Sequence, residues 1–252
     1  MKVAMMQPTF LPWLGYFELI MKVDLFVFCD DFQFVRKSYH QRNRLLFGKQ
    51  NVTDITVPVK KKGVYQQKIN EVEIREDLPW RTKLWKSIEL NYHKTPYFSA
   101  YKDKIEPLIV QPKENLAKQN MELIECISSL IGAKTEFIRS SELHAIGARS
   151  ELVKNLLHEV HADSFYQAHG SFPYMNEDGV FPLRDIPVYF QDAVPIPYRQ
   201  YNNSTGQFVP YLSVLDVLFN IGAEDTAKIA SCMTEHWLAW TEMLNIHQTY
   251  HV

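Results

Sequence analysis

The feature that most limits the folds open to this chain is the order of its first apolar segments. A strand-sized apolar run, Lys2 to Met6, stops at Gln7-Pro8. Helical spacing then runs through WLGYFELIMKV, and a second apolar run, DLFVFC, ends on the acidic pair Asp30-Asp31. Two short apolar strands separated by a helix cannot pair through a tight turn. They must be joined by a crossover that lays them parallel, with the helix on one face of the sheet. Pro12 suits the first turn of that helix, where its missing N–H has no intrahelical partner to lose.

The rest of the chain repeats the theme. DITVPV and INEVEI read as strands around a KKKG loop, with Lys60 to Lys62 an exposed turn. From Pro79 to about Ile131 the pattern is helical, with breaks near Thr95-Pro96 and Gln111-Pro112, because the residue before proline resists the helical region. TEFIRSS, DSFYQA and IPVYFQDA read as further strands, RSELVKNLLHEV as a helix, and YLSVLDVLFNIG and EDTAKIASCMTEHWLAW as closing helices. Strands alternating with helices predict an α/β three-layer sandwich with a mostly parallel sheet and helix-rich middle and C-terminal segments. No repeat, low-complexity tract or linker interrupts the pattern. One domain over 1–252 is expected, with 79–131 open to forming a helical subdomain.

Composition removes several function classes. Of the 252 residues 22% are charged and the formal net charge is −2, so nothing polybasic argues for a nucleic-acid partner. Cys29, Cys126 and Cys232 are sparse, odd in number and widely spaced, which fits a reducing cytoplasm and not a zinc or redox motif. No segment has the length of a membrane span. A cytoplasmic location is expected, with no integral membrane segment, and a homo-oligomer stays open.

In open α/β sheets ligands bind beyond the carboxyl ends of the strands. Gln7 follows the first predicted strand and Asp30 and Asp31 the second. Ser140 and Ser141 follow TEFIR, and His169 and Gly170 follow DSFYQA, so these distant residues should converge on one edge of the sheet. The carboxylates can bind a hydrated Mg²⁺, serve as a general base toward an amine, or cap a turn. Cys29 alternates to the opposite face from Asp30 and reads as a buried thiol. Arg42, Asn43 and Arg44 form a cationic cluster suited to a phosphate, or a solvated basic loop. Tyr and Trp beside Pro and Gly, as in LPWLGYF, can pack under loops or wall a cleft. His158 and His161 lie three apart with no third ligand at compelling spacing, and no metal site is expected. The Trp13-Leu14-Gly15-Tyr16 stretch lacks both histidines of a His-x-Gly-His nucleotidyltransferase signature, and no nucleophile elbow is present.

QPTFLPWLGYF, DLFVFCDDFQF, the Arg42–Arg44 RNR, NYHKTPYF and FVPYLSVLDVLFNIGAE, in this order, resemble the signature of the WbqC-like family, whose members sit among bacterial O-antigen genes. Two departures stand out: Cys29, where aliphatic residues are usual, and QAHGSFPYM, where many relatives read Ser-Gly. The second leaves any role of His169 particular to a subgroup.

The resemblance implies work on a nucleotide-linked sugar, as an N-acyl or aminoacyl transfer to an amino sugar. Asp30, Asp31 and His169 are then the candidate catalytic residues. Gln7, Trp13, Tyr16, Gln33, Arg42, Asn43 and Arg44 are the candidate substrate contacts. The donor stays open among acyl-CoA, an acyl carrier protein and an acyl-adenylate. A non-catalytic sugar-nucleotide-binding or scaffold protein, and an ATP-dependent amide ligase, are the alternatives.

Overall fold

The computed structural model describes residues 1–48, 51–60, 66–203 and 205–249. Lys2–Met6 (β1) and Leu25–Phe28 (β2) are the two apolar runs, and Leu14–Lys22 (α1) is the crossover between them. Along β2 the side chains alternate. Phe26 and Phe28 enter one core, while Leu25 and Val27, with Cys29 beyond them, enter the other. A strand buried on both faces carries no polar side to mark its period, which is why it reads as a continuous apolar run.

A six-stranded sheet is completed by Glu136–Arg139 (β5), Ser164–Ala168 (β6), Val188–Gln191 (β7) and Leu238–Ala239 (β8), in the order β5-β2-β1-β6-β7-β8. Every neighbouring pair is parallel except β7 with β8. The strand order therefore reverses at β1: the chain first moves outward through β2 to β5, then returns to β6 on the other side. This is the arrangement of a doubly wound sheet, whose crevice opens where the order reverses. A separate hairpin pairs Arg42–Phe47 (β3) with Asn51–Thr56 (β4).

Helices cover both faces. Arg149–Glu159 (α5), Phe172–Asp178 (α6) and Trp240–Thr249 (α8) bury Leu157, Phe172 and Trp240 on one face. On the other, α1 shares a core with Trp80–Tyr92 (α2), Phe98–Val110 (α3), Leu116–Leu130 (α4) and Val214–Ala230 (α7). The three layers are those of an α/β sandwich. Helices α2 to α4, expected as a candidate subdomain, bury residues in the same core as α1 and α7. Among the described residues no helix is long and apolar enough to cross a membrane.

Several local expectations change. INEVEI forms a 3-10 turn at Ile69–Glu71, because Asn70 N–H donates to the Asp30 carbonyl (2.9 Å) and Lys68 N–H to the Glu71 carboxylate (3.1 Å). These two bonds, one distant and one local, replace the ladder a strand would need. The Arg42–Arg44 cluster, whose alternative reading is a solvated basic loop, opens strand β3, with Asn43 and Leu45 buried and Arg42 and Arg44 turned outward. Pro12 lies just ahead of α1, whose cap is Trp13. The two closing helices expected from YLSVLDVLFNIG and EDTAKIASCMTEHWLAW are both present as the two halves of α7, but the second stops at Ala230, and Leu238–Ala239 of its expected length is β8. The halves are separated by a break at Gly222 (φ 80°, ψ 172°). A Cβ there would lie 2.7 Å from the Tyr97 ring, so both the backbone and the packing require glycine. Lys61 and Lys62 of the expected KKK turn lie outside the described residues.

Candidate functional site

The acidic pair sits where β2 ends, next to the end of β5. Parallel register sets Phe28 opposite Arg139, so the residues after each strand, Asp30-Asp31 and Ser140-Ser141, meet. Asp30 is 2% exposed, and its carboxylate accepts from four donors. These are Ser141 N–H (3.1 Å), Ser141 Oγ (2.8 Å), Ser140 Oγ (3.3 Å) and Asn70 Nδ2 (3.3 Å). A carboxylate saturated in this way acts as a brace, tying two strand ends to the turn at Asn70. Asp31 also accepts from Ser140 Oγ, but it is more open and stands 3.5 Å from Lys68 Nζ.

Two cavities flank this brace. The larger, about 540 Å³, runs along the start of α4 and is lined among others by Asp30, Asn70, Lys118, Glu122, Glu125 and Arg139. The smaller, about 240 Å³, is lined by Asp31, Lys68, Ser140 and apolar residues of α5 and the loop before it. Five carboxylates and two cations line the larger cavity, which gives it a negative field. Most of those carboxylates are paired: Glu122 with Lys113, Glu114 with Lys118, and Glu142 with Arg139. Among the described residues Glu125 makes no ion pair. Burial in the cavity wall, and then the Glu122 charge beside it, raise its carboxyl above the usual range, with Arg139 opposing. A carboxyl raised in a cleft is a candidate proton acceptor. The sequence offers no sign of it, because α4 carries its acids at ordinary helical spacing.

The other signature stretches meet at the end of β1. The Gln7–Trp13 loop is fastened by Asn43, 3% exposed, whose Nδ2 donates to the carbonyls of Phe10 (3.1 Å) and Leu11 (2.8 Å). Leu11 holds φ 45°, a left-handed conformation that needs this support. Tyr16 is 5% exposed and donates to the Gln7 carbonyl (3.1 Å), with its ring against Phe26, so it lies inside the core. Trp13 lies over Gly15, where a Cβ would come 2.2 Å from the indole, and packs on Tyr211 with ring centroids 5.2 Å apart. Gln7 is half-buried, and its side-chain oxygen meets His40 Nε2 at 3.3 Å.

The remaining candidates stand elsewhere. Arg42 is 44% exposed and only loosely paired with Asp54 (3.8 Å). Arg44 donates to the Tyr211 carbonyl (3.3 Å), and its own carbonyl accepts from Ser213 N–H (2.9 Å). Neither arginine lines either cavity beside the acidic pair. Gln33 is an exposed loop residue bridged through its backbone to Lys68. His169 is exposed in the turn after β6, with Nδ1 3.8 Å from Asp192. His158 faces Asp185 (3.3 Å) at the opposite edge of the sheet. Among the described residues no group of three or more His, Cys, Asp or Glu is placed to hold a metal ion. Cys29 is buried, and burial, with Asp31 and Asp30 nearby, pushes its thiol far up and away from the thiolate.

Comparison with known proteins agrees with the motif content. An uncharacterized protein of Mycobacterium tuberculosis, Rv1507c, is 33% identical over 232 residues, covering 92% of this chain and 98% of the relative. No solved structure matches. The WbqC-like protein family matches residues 7–228, a span that takes in the loop after β1, the acidic pair, the hairpin and most of α7; the chain belongs to the WbqC-like family.

Proposed function

We propose that the protein transfers an acyl or aminoacyl group to the amino group of a nucleotide-linked sugar, in the surface-polysaccharide biosynthesis that the family's resemblance to O-antigen cluster proteins suggests. The observation that carries this reading is the carboxylate-lined cavity at the carboxyl ends of β2 and β5. Its negative field suits an ammonium group and disfavours a bare phosphate. In the proposed reaction Glu125 takes a proton from the sugar ammonium. The freed nitrogen lone pair attacks the acyl carbon of an activated donor, a thioester or an acyl-adenylate. The new C–N bond forms as the C–S or C–O bond breaks, and the leaving group departs with that electron pair while the second nitrogen proton passes to the leaving group or to solvent. Asp30, saturated by its four donors, shapes the floor of the cavity, and Asp31 presents a second carboxylate from the adjoining cavity. Lys118 and Arg139 are the cations that line the same cavity and that a diphosphate would meet.

A second reading has its own support. The saturation of Asp30 also fits a cavity built to bind an amino sugar without converting it, as in a scaffold of the assembly line. Incubating the protein with UDP-glucosamine and acyl donors separates the two. Turnover that falls about a hundred-fold or more in Glu125→Gln, with the fold intact, supports transfer. Binding of the sugar nucleotide with no acylated product from any donor class supports the scaffold.

A further inference from the structure

We propose that the Gln7 carboxamide is a ligand contact and that His40 is the positioning residue that aims its NH2 group at an acceptor oxygen of the substrate, beside the carboxyl end of β1. The imidazole sets the geometry. His40 Nδ1 accepts the backbone N–H of Val35 (3.1 Å), so the ring proton must sit on Nε2. Nε2 therefore donates to Gln7 Oε1 (3.3 Å). With its oxygen taken, the Gln7 amide can only turn its nitrogen the other way, and among the described residues that nitrogen has no protein acceptor. The backbone is pinned as well, since Tyr16 donates to the Gln7 carbonyl (3.1 Å).

His40 is itself held in place. It is buried, its carbonyl accepts from Asn120 Nδ2 (2.8 Å), and its ring lies against Phe34. A glutamine that is merely solvated needs none of these restraints, and fixing its rotamers costs entropy. A donor pair fixed ahead of binding is what recognition of a carbonyl, hydroxyl or phosphate oxygen requires. The place fits too, because Gln7 follows the strand at which the sheet order reverses. The ring stays neutral in ordinary buffers, since burial lowers its pKa to about 4.

The choice of probe rests on the sugar-nucleotide reading; the geometry does not. UDP-glucosamine is titrated into 15N-labelled protein at pH 7, and its affinity and the Gln7 side-chain amide signals are followed. Gln7→Glu keeps an acceptor for His40 but removes the NH2, and should weaken binding about ten-fold or more. His40→Asn keeps an acceptor for Val35 but cannot reach Gln7, and should weaken binding similarly. His40→Gln restores a donor and should recover affinity to within about three-fold of wild type. Full affinity in folded Gln7→Glu overturns the proposal. If the wild type does not bind UDP-glucosamine, the sugar-nucleotide reading fails, and the amide signals decide this one. A distinct Gln7 pair that collapses in His40→Asn and returns in His40→Gln upholds the positioning role. A pair unmoved by both substitutions overturns it, and where His40→Asn does not fold, Gln7→Glu and His40→Gln decide the matter.

Discussion

Acid should destabilise this protein through His40, and the size of the effect follows from its burial. The ordinary histidine value of 6.5 falls to about 4 in the folded chain, because burial disfavours the charged ring. The ring also cannot take a proton on Nδ1 without losing the Val35 N–H bond. Between those two values the unfolded chain binds more protons than the folded one. The stability involved is present in full above pH 6.5 and is lost as pH falls toward 4. The whole gap corresponds to about 3 kcal/mol, and about 2 kcal/mol of it is gone by pH 5. His40→Gln has nothing to titrate there. Urea melts of wild type and variant at pH 7 and pH 5 should show the wild type losing about 2 kcal/mol more between the two conditions. Glu18 and Asp216, whose carboxyls burial pushes up, shift with pH in both proteins and cancel in the difference. Equal losses in the two proteins would refute the reasoning, because His40 would then be open to solvent or already charged.

Three further outcomes follow from the same geometry. Asp216 is buried and accepts from Tyr92 (2.6 Å), Tyr198 (2.6 Å) and Gln200 (3.0 Å), so Asp216→Ala leaves three donors unpaired and should cost about 3–5 kcal/mol in a chemical melt. Arg44→Ala removes the tie to Tyr211 and should lower stability by about 1 kcal/mol while leaving UDP-glucosamine affinity unchanged, and Arg42→Ala, outside the cavity and only loosely paired, should change neither. Replacing Cys29, Cys126 and Cys232 together by Ala or Ser should leave any acyl transfer within about three-fold; a loss of several orders of magnitude in a folded variant would make a thiolate the nucleophile.

The sheet is readable in the sequence because β1, β2 and β6 are apolar runs bounded by Pro, Asp or His, signals that local chemistry alone provides. The meeting of Asp30-Asp31 with Ser140-Ser141 is also readable, since residues that follow adjacent parallel strands must share an edge. β3 is hidden because its outward arginines and inward Asn43 mask the alternation. The turn at Ile69–Glu71 reads as part of a strand because Val72 and Ile74 just after it alternate with Glu71 and Glu73, while its conformation depends on a distant carbonyl of Asp30. Glu125 gains its candidacy only from the cavity around it. The signature residues themselves divide: Asn43 and Tyr16 hold the Gln7–Trp13 loop, and Trp13 packs on Tyr211, so co-occurrence in the motif partly records mutual support.

Whether the cavity beside Asp30 receives the amine of a sugar nucleotide is tested most directly by a crystal soaked with UDP-glucosamine. The sugar nitrogen is expected about 3 Å from the Glu125 carboxylate, with Asp30 still holding Ser140, Ser141 and Asn70. A nucleotide sugar bound elsewhere, with its amine toward solvent and the cavity unfilled, would contradict the proposed function.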